Sequence, residues 1–401
     1  MNKKILAFGY IPKAKGGKQI TGLATGIFDL HDTVNQIHSE FKVIIAATDI
    51  HQKNTIIDHT EVVGWRREYL IKHTLMHPIR TIYFFYKIFT LFKFRKIYPA
   101  SISFIKLIFL DYTINLIKPD IIHFHGTGGA ILSTGLWNKN LIKILRIHGI
   151  NGNNPSIPNF VIHSKIENFV TKLPFNKATF VTKTVCAEWK DKYGEFTCDM
   201  IPILNGYNQN LFKPSDSWVR IDKKYDIVTF SGISENKGQI RVVQALCKLR
   251  KQGIKFSYLI IGNGKDDYLR MVKKLVSDNK LNVSFRNYLS QKEICNVLYR
   301  SKFFILPSIT EGFGKVFIES LGTGIPVILP KHLPLANEPG VLNNQNAIFL
   351  EDSKVESIER KLKELYDNPI VFDPVKVSKS ISHLSWSKIA VQYIDVYKSL
   401  I

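Results

Sequence analysis

A chain of 401 residues, 45% hydrophobic and 12% aromatic, is long for a single core, suits two domains, and is not the composition of a disordered polymer. Its net charge of +22 calls for an anionic partner, with nucleic acid, an acidic membrane surface and nucleotide substrates as the candidates. No helix-turn-helix pattern, RNP aromatic signature or zinc spacing is present, and the four cysteines, Cys186, Cys198, Cys247 and Cys295, form no CxxC pair, so nucleic acid and a bound metal are both disfavoured and a reducing compartment is expected.

Taken in chain order, the first half alternates strand-like and helix-like patterns. Lys4-Ile-Leu-Ala-Phe-Gly reads as a first buried strand and not as a signal peptide, since its apolar run is too short. A glycine-bearing loop, Lys13-Ala-Lys-Gly-Gly-Lys18, follows, then a helix over 20–37 and a second strand, Phe41-Lys-Val-Ile-Ile-Ala-Ala. Asp120-Ile-Ile-His-Phe-His, Lys143-Ile-Leu-Arg-Ile-His148 and Ala178-Thr-Phe-Val-Thr are later strands. Residues 205–220, rich in Asn, Pro, Asp and Ser, read as a linker. The alternation then restarts, with strands at 225–230, 256–261, 282–285, 303–306 and 326–329, and helices at 237–251, 266–278, 291–301 and 355–367. Such alternation predicts an α/β protein of doubly wound parallel sheets. No apolar stretch approaches the roughly 20 residues of a spanning helix.

The most informative segment is Glu311-Gly-Phe-Gly-Lys-Val-Phe-Ile-Glu319, between a proline-stopped strand and an apolar-periodic helix. Gly312 and Gly314 let the backbone approach a ligand and leave N–H groups open at the helix start. One carboxylate stands at the loop mouth and the other a turn or two into the helix. Taken alone, the pair is equally an ordinary acidic loop residue and a solvated helix Glu. The full string, Leu306-Pro-Ser-Ile-Thr-Glu-Gly-Phe-Gly through Glu319-Ser-Leu-Gly-Thr-Gly-Ile-Pro326-Val, resembles the donor-binding motif of the GT4-type retaining glycosyltransferases (glycosyltransferase group 1). Lys237-Gly238 resembles that family's phosphate-binding pair, and Asn205-Gly206 through Phe212-Lys-Pro214 its interdomain segment. Gly16-Gly17 matches its N-terminal glycine loop, and Asp120-Ile-Ile-His123-Phe-His125-Gly the buried strand that follows. In this order the pieces span the chain from Ile5 to Trp386.

The resemblance implies the GT-B fold, two Rossmann-like doubly wound domains facing across a cleft. Residues 1–205 would form the acceptor-side domain, 206–383 the nucleotide-sugar domain, and 384–401 a helix returning to the first. It implies Glu311 and His148 as the catalytic pair, Glu311 on donor sugar hydroxyls and His148 beside the reaction centre. Donor binding would fall to Gly16, Gly17, Lys237, Tyr288, Leu289, Gly312, Phe313, Gly314 and Glu319, with Glu319 on the ribose and the base held near Tyr288 and Leu289. Each has a plainer reading: Lys237 as a solvated loop lysine, Gly16-Gly17 as a simple turn, and His148 as a buried core histidine. His123 and His125 would line the cleft, and Glu188 is more simply a surface-helix residue. The family carries an arginine five or six residues before its lysine, where this chain has Gly232 and Ser231; Arg241, a turn inside the helix, is expected to point away.

Residues 79–98 interleave aromatics with bases, the composition of a segment at an anionic lipid headgroup boundary, with Lys87, Lys93, Arg95 and Lys96 as its membrane contacts. The competing reading is a core helix with a basic outer face. Together these features point to a metal-independent retaining glycosyltransferase without a cofactor. It would take a nucleotide sugar and a saccharide or lipid-linked acceptor, in cell-surface polysaccharide synthesis on the cytoplasmic face of a bacterial membrane. A phosphorylase of the same fold would want a pyridoxal phosphate lysine and a longer chain. A non-catalytic nucleotide-sugar-binding partner subunit is the alternative that the missing arginine favours.

Overall fold

The structure is a computed structural model describing residues 2–401 apart from 20, 51–53, 92–99, 139, 154–156, 158 and 216–221, with backbone only at 88–91, 100–103 and 153. The chain divides into two compact units, one of Met1–Gly206 with Trp386–Ile401 and one of Tyr207–Ser385.

The first unit holds strands β1 (Lys3–Gly9), β2 (Phe41–Ala47), β3 (Thr55–Ile57), β4 (Thr60–Gly64), β5 (Ile121–His125), β6 (Ile142–Ile147), β7 (Lys177–Phe180) and β8 (Asp199–Pro202), in the sheet order β3-β4-β2-β1-β5-β6-β7-β8. Every pairing is parallel except β3 with β4. Its helices are α1 (Gly22–Ile37), α2 (Arg67–Met76), α3 (Pro78–Leu91), α4 (Ala100–Ile117), α5 (Gly126–Ser133), α6 (Phe160–Thr171) and α7 (Lys183–Tyr193). Strands β1 and β5 are apolar runs with no alternation, as parallel strands covered on both faces must be. Helix α1 begins later than the apolar periodicity suggests. Thr21 caps it, its hydroxyl accepting the Ala24 N–H at 3.3 Å, and a cap in the extended region cannot itself be helical. The β3–β4 hairpin was not legible, its strands being only three and five residues long.

The second unit alternates from β9 to β13 and ends in a strand and two helices: β9 (Tyr225–Phe230), α8 (Gln239–Lys251), β10 (Tyr258–Ile261), α9 (Asp266–Asp278), β11 (Val283–Arg286), α10 (Gln291–Tyr299), β12 (Ser301–Ile305), α11 (Lys315–Gly322), β13 (Val327–Pro330), β14 (Ala347–Leu350), α12 (Val355–Asp367) and α13 (Pro374–Ser380). The sheet order β11-β10-β9-β12-β13-β14, all parallel, is the doubly wound dinucleotide-fold order. Both sheets thus have the predicted parallel α/β architecture. Ile227 and Ile260 of the sheet, Val242 and Leu246 of α8, and Ile358 and Leu362 of α12 share one core. Several boundaries move by one or two residues. The helix predicted from Lys237 starts at Gln239, because Gly238 takes a left-handed conformation at φ 77°. The helix predicted to run to Ser301 ends at Tyr299, because Ser301 pairs with Tyr225 as the start of β12. The strand predicted from Phe256 starts at Tyr258.

The last helix, α14 (Trp386–Lys398), belongs to the first unit and packs on α1. Trp386 is buried, and its indole N–H donates to Asp29 Oδ2 at 3.2 Å. Tyr393 and Tyr397 are fully buried, with Tyr393 Oη 3.2 Å from Thr179 Oγ1 of β7 and Tyr397 Oη 2.9 Å from His123 Nδ1 of β5. This helix therefore roofs the site-bearing strands of its unit. Trp386→Ala is expected to destabilise the first unit by about 3–5 kcal/mol, the usual cost of emptying a buried tryptophan site, read as a lowered urea midpoint by far-ultraviolet circular dichroism.

Candidate functional site

In the second unit the chemistry gathers where the strand order reverses. β9 and β12 are neighbours, and the crossovers that follow them run in opposite directions along the sheet, so their loops leave its carboxyl edge side by side. Asn236 joins the loops: its carbonyl accepts the Ile309 N–H at 2.8 Å, its side-chain oxygen the Thr310 N–H at 3.1 Å, and its amide donates to the Thr310 carbonyl at 3.1 Å. On this brace Lys237 Nζ meets Glu311 Oε1 at 2.5 Å, and Ser308 Oγ donates to the same oxygen at 2.7 Å. Glu319, one turn into α11, is buried and pairs with Lys315 Nζ at 3.2 Å. Structure thus brings Lys237, Glu311 and Ser308 into one cluster, and seats Glu319 on the helix that the same loop enters.

Both helices that open here, α8 and α11, begin at a glycine in the left-handed region, Gly238 and Gly314, with no side-chain cap and no acidic residue in the first turn. At Gly314 any Cβ would lie 2.6 Å from the Phe317 ring, so glycine is required on steric as well as torsional grounds. Uncapped N-termini with lysines beside them suit an anion. Phe313 is buried at the turn, while Gly312 is half-buried at its mouth. Tyr288, exposed, and Leu289, half-buried, follow β11 at the same edge of the sheet. Gly232 takes ordinary backbone angles, and a Cβ there would meet only the Asn263 carbonyl, at 4.0 Å, so nothing steric forbids a larger residue. Arg241 does not turn away as expected. Its guanidinium lies against Gly238 and donates to the carbonyls of Pro307 and Glu235, each at 2.8 Å, bracing the loop from beneath.

In the first unit, Gly16 and Gly17 close a short turn after β1, with the Gly17 N–H donating to the Pro12 carbonyl at 3.2 Å. Lys15 of that turn pairs with Asp58. His148 stands just past β6 and is half-buried. His123 is wholly buried in β5, so it does not line a cleft; its environment is other side chains of the unit. His31 Nε2 lies 2.8 Å from His125 Nε2, and His125 Nδ1 lies 3.2 Å from His148 Nε2. Beside them Arg146, 1% exposed, donates to Asn205 Oδ1 at 2.7 Å and stands 5.2 Å over the Tyr393 ring, leaving Nη1 without a partner. Burial lowers its pKa to about 9. Burial and then the Arg146 charge bring His31 down to about 3 and hold His148 well below 6.5. His123 and His125 lie well below 6.5 too, through burial and their imidazole neighbours as well as Arg146. His31, His123 and His125 bring one ring nitrogen each within 4.8 Å of the others, a spacing that could hold a metal ion, but the guanidinium beside them opposes a second cation.

The profile of the family described as glycosyl transferases group 1 matches residues 214–381. The second unit is a glycosyl transferases group 1 domain. A GDP-mannose-dependent monoacylated alpha-(1-6)-phosphatidylinositol monomannoside mannosyltransferase of Corynebacterium glutamicum is 27% identical to the chain over 35% of it and 37% of the relative. A GDP-mannose:cellobiosyl-diphosphopolyprenol alpha-mannosyltransferase of Xanthomonas campestris is 25% identical over 42% and 45%. The chain thus spans less than half the length of either relative in these matches. A sucrose-phosphate synthase from Thermosynechococcus elongatus shares the fold, with a TM-score of 0.77 at 13% identity, covering 100% of this chain and 99% of that one. The fold is GT-B.

Three supports of the group 1 domain and its companion unit escaped sequence reasoning. Gln239, 1% exposed, donates to Ser231 Oγ and the Gly232 carbonyl and accepts the Ser234 N–H, fixing the loop before Lys237. Glu167, also 1% exposed, accepts the N–H groups of Asn151 and Gly152 at 2.8 and 3.0 Å and the Tyr193 hydroxyl at 2.8 Å, which anchors the segment after His148. Arg146 sits in an apolar strand pattern, where a charge is easily read as an edge residue. Only Gln239, placed next to the Lys237-Gly238 pair, carried any local signal. Glu188 is exposed on α7, as its plainer reading has it.

The histidine cluster makes stability pH-dependent. An imidazole kept neutral in the fold takes up its proton only in the unfolded chain, between its lowered folded value and 6.5. The stabilisation is therefore complete above about pH 6.5 and falls as pH drops below it. The limit is about 1.4 kcal/mol per pH unit for each histidine. Urea midpoints are expected to fall steeply from pH 7 to pH 5, and the slope should flatten in His123→Phe. An unchanged slope in that variant would place the acid sensitivity elsewhere.

Proposed function

We propose that the protein is a retaining glycosyltransferase. It moves a sugar from a nucleotide-sugar donor to a hydroxyl of a lipid-carrier-linked saccharide, in the assembly of bacterial cell-surface polysaccharide. The observation that carries this reading is the pairing of Lys237 with Glu311 between two uncapped helix N-termini in a group 1 domain. The donor diphosphate would take Lys237 and the helix termini, freeing Glu311 for sugar hydroxyls. Glu319 would hold the ribose, and His148 the sugar near the anomeric carbon. Helix N-termini and lysine stabilise a leaving diphosphate without a metal ion. The mannosyltransferase relatives, whose names specify GDP-mannose donors and lipid-borne acceptors, support the substrate class.

Glu311→Ala is expected to abolish transfer while leaving the melting temperature near wild type. Glu319→Ala should weaken binding of free nucleoside diphosphate roughly 10- to 150-fold, the value of a hydrogen bond to a charged group at about 1.5–3 kcal/mol. With Ser231 and Gly232 in place of the family's arginine, Lys237→Ala should lose most donor affinity, and Gly232→Arg, which the backbone accommodates, should raise affinity or turnover. A transfer assay and a thermal melt check Glu311→Ala, and isothermal titration with GDP, UDP and their sugars checks the other three; a silent Gly232→Arg together with a mild Lys237→Ala would move the phosphate site. The rival reading, a nucleotide-sugar-binding partner without turnover, rests on the same missing arginine. It predicts donor binding with no transfer over a full acceptor panel.

We further propose a peripheral membrane site on α2 and α3. One face of α3 is core, with Phe84 buried 5.6 Å from the His73 ring, so the core-helix reading holds for that face. The other face exposes Ile79, Ile82, Phe85 and Tyr86, and the neighbouring α2 exposes Ile71, Leu75 and Met76. Lys87 stands 5.4 Å over the Tyr83 ring, whereas Lys93, Arg95 and Lys96 lie outside the described residues. Arg80 is committed to Asp111 at 3.2 Å. Among the described residues no helix is long and apolar enough to cross a membrane. The protein should co-sediment with anionic vesicles at low salt. Neutralising Lys87, Lys93, Arg95 and Lys96 should release it, at about 1 kcal/mol per base, while transfer to a soluble acceptor analogue persists. Wild-type protein remaining in the supernatant would leave the exposed face to another role.

A further inference from the structure

We propose that His31 and His125 form a buried two-imidazole chain that pins His148 in a single tautomer, making it a hydrogen-bond donor through Nδ1 and not a base. This rests on the reading of His148 as the residue that meets the donor sugar. The geometry is a continuous line of ring nitrogens. His31 Nε2 is 2.8 Å from His125 Nε2, and His125 Nδ1 is 3.2 Å from His148 Nε2. His31 is 0% and His125 9% exposed, so the contact between them is shielded from water, while the contact to half-buried His148 is partly shielded.

A neutral imidazole carries one N–H and one bare nitrogen, so the proton position on one end of such a chain fixes all the others. All three rings are kept neutral, because burial and the neighbouring Arg146 guanidinium, which has no carboxylate partner among the described residues, oppose further positive charge. Two arrangements are then possible. In one, His31 carries its proton on Nδ1, accepts from His125, and His125 accepts from His148. In the other, His31 Nε2–H donates to His125 Nε2, His125 Nδ1–H donates to His148 Nε2, and His148 holds its own proton on Nδ1. His31 Nδ1 decides between them. It is buried and has no hydrogen-bond partner among the described residues. The first arrangement strands a buried N–H donor there, a rare and costly defect, whereas the second leaves only a lone pair. The chain therefore runs from His31 to His148, and the Nδ1–H of His148 is the end that it presents.

His125 and His31 are thus positioning residues for His148. A fixed N–H donor can hold a sugar oxygen without taking its proton. Orientation of this kind, where one imidazole is held by an outer partner, is worth roughly 10- to 100-fold in activity in comparable arrangements.

The test uses the full chain labelled with 15N at histidine. Long-range proton–nitrogen correlation spectra report directly which ring nitrogen is protonated, with His148→Asn used to assign the His148 signals. The expected wild-type result is one His148 species, protonated at Nδ1, giving way to a mixture of tautomers in His31→Phe. In parallel, transfer from a nucleotide sugar is measured for His125→Leu and His125→Asn. The Asn amide can still donate toward His148 but cannot continue to His31. kcat should fall roughly 10- to 100-fold in His125→Leu with KM and melting temperature little changed, and should recover most of that loss in His125→Asn. A wild-type His148 protonated at Nε2, or averaging between tautomers, overturns the chain while leaving the transferase reading intact. A pinned tautomer whose kcat ignores His125→Leu overturns the role of His148 at the sugar, and with it the proposal.

Discussion

Arg146 is buried without a carboxylate, and much of the first unit is arranged around that fact. A guanidinium taken out of water needs compensation, and a buried ion without a counter-charge is among the costliest groups a fold can hold. Here the compensation is the Asn205 side-chain oxygen and the face of Tyr393, neither of which carries a formal negative charge. The cation then acts on its surroundings. With burial it keeps His31, His123, His125 and His148 neutral, and neutral rings can exchange single, directional hydrogen bonds that charged rings could not. The terminal helix is part of the same arrangement, since Tyr393 and Tyr397 close the cluster from a segment far along the chain.

The second unit solves the opposite problem. The two carboxylates of its motif loop and helix are partly or wholly shielded, and each is matched to a lysine held at short range, Glu311 to Lys237 and Glu319 to Lys315. Charge balance in the absence of substrate stabilises the loops. It also means that any anion drawn to Lys237 must compete with Glu311 and does not merely fill a vacancy. Both loops can tolerate that exchange because their shape does not depend on it. Asn236 ties the two loops through the backbone, Gln239 fixes the turn before Lys237, and Arg241 braces it from below by carbonyl contacts alone.

The two units also differ in what they leave to solvent. The second buries Gly238, Gly314 and most of its motif helix, whereas α2 and α3 of the first present isoleucines and aromatics outward while burying Phe84 and Tyr69 inward. A helix with apolar residues on both faces, one of them uncovered, is the pattern of a surface that meets something other than water.

What the sequence by itself determined was mostly local. The parallel α/β class follows from alternation of apolar runs with helical periodicity. The motif loop follows from Gly312 and Gly314 between a proline-stopped strand and an amphipathic helix, because turn chemistry is written in consecutive residues. Lys237 and Glu311 were each legible as site residues, but their contact was not, because it depends on β9 and β12 being neighbours in the sheet. Arg241 was misread for the same reason: helical geometry gives its direction from α8, not the presence of the Pro307 carbonyl beneath it. Tertiary structure alone decided the histidine chain. His31, His125 and His148 come from α1, the end of β5 and the segment after β6, and no spacing along the chain encodes their meeting. Burial decided their chemistry as well, since an imidazole in an apolar strand pattern looks the same in sequence whether its nitrogens face water, a metal or one another.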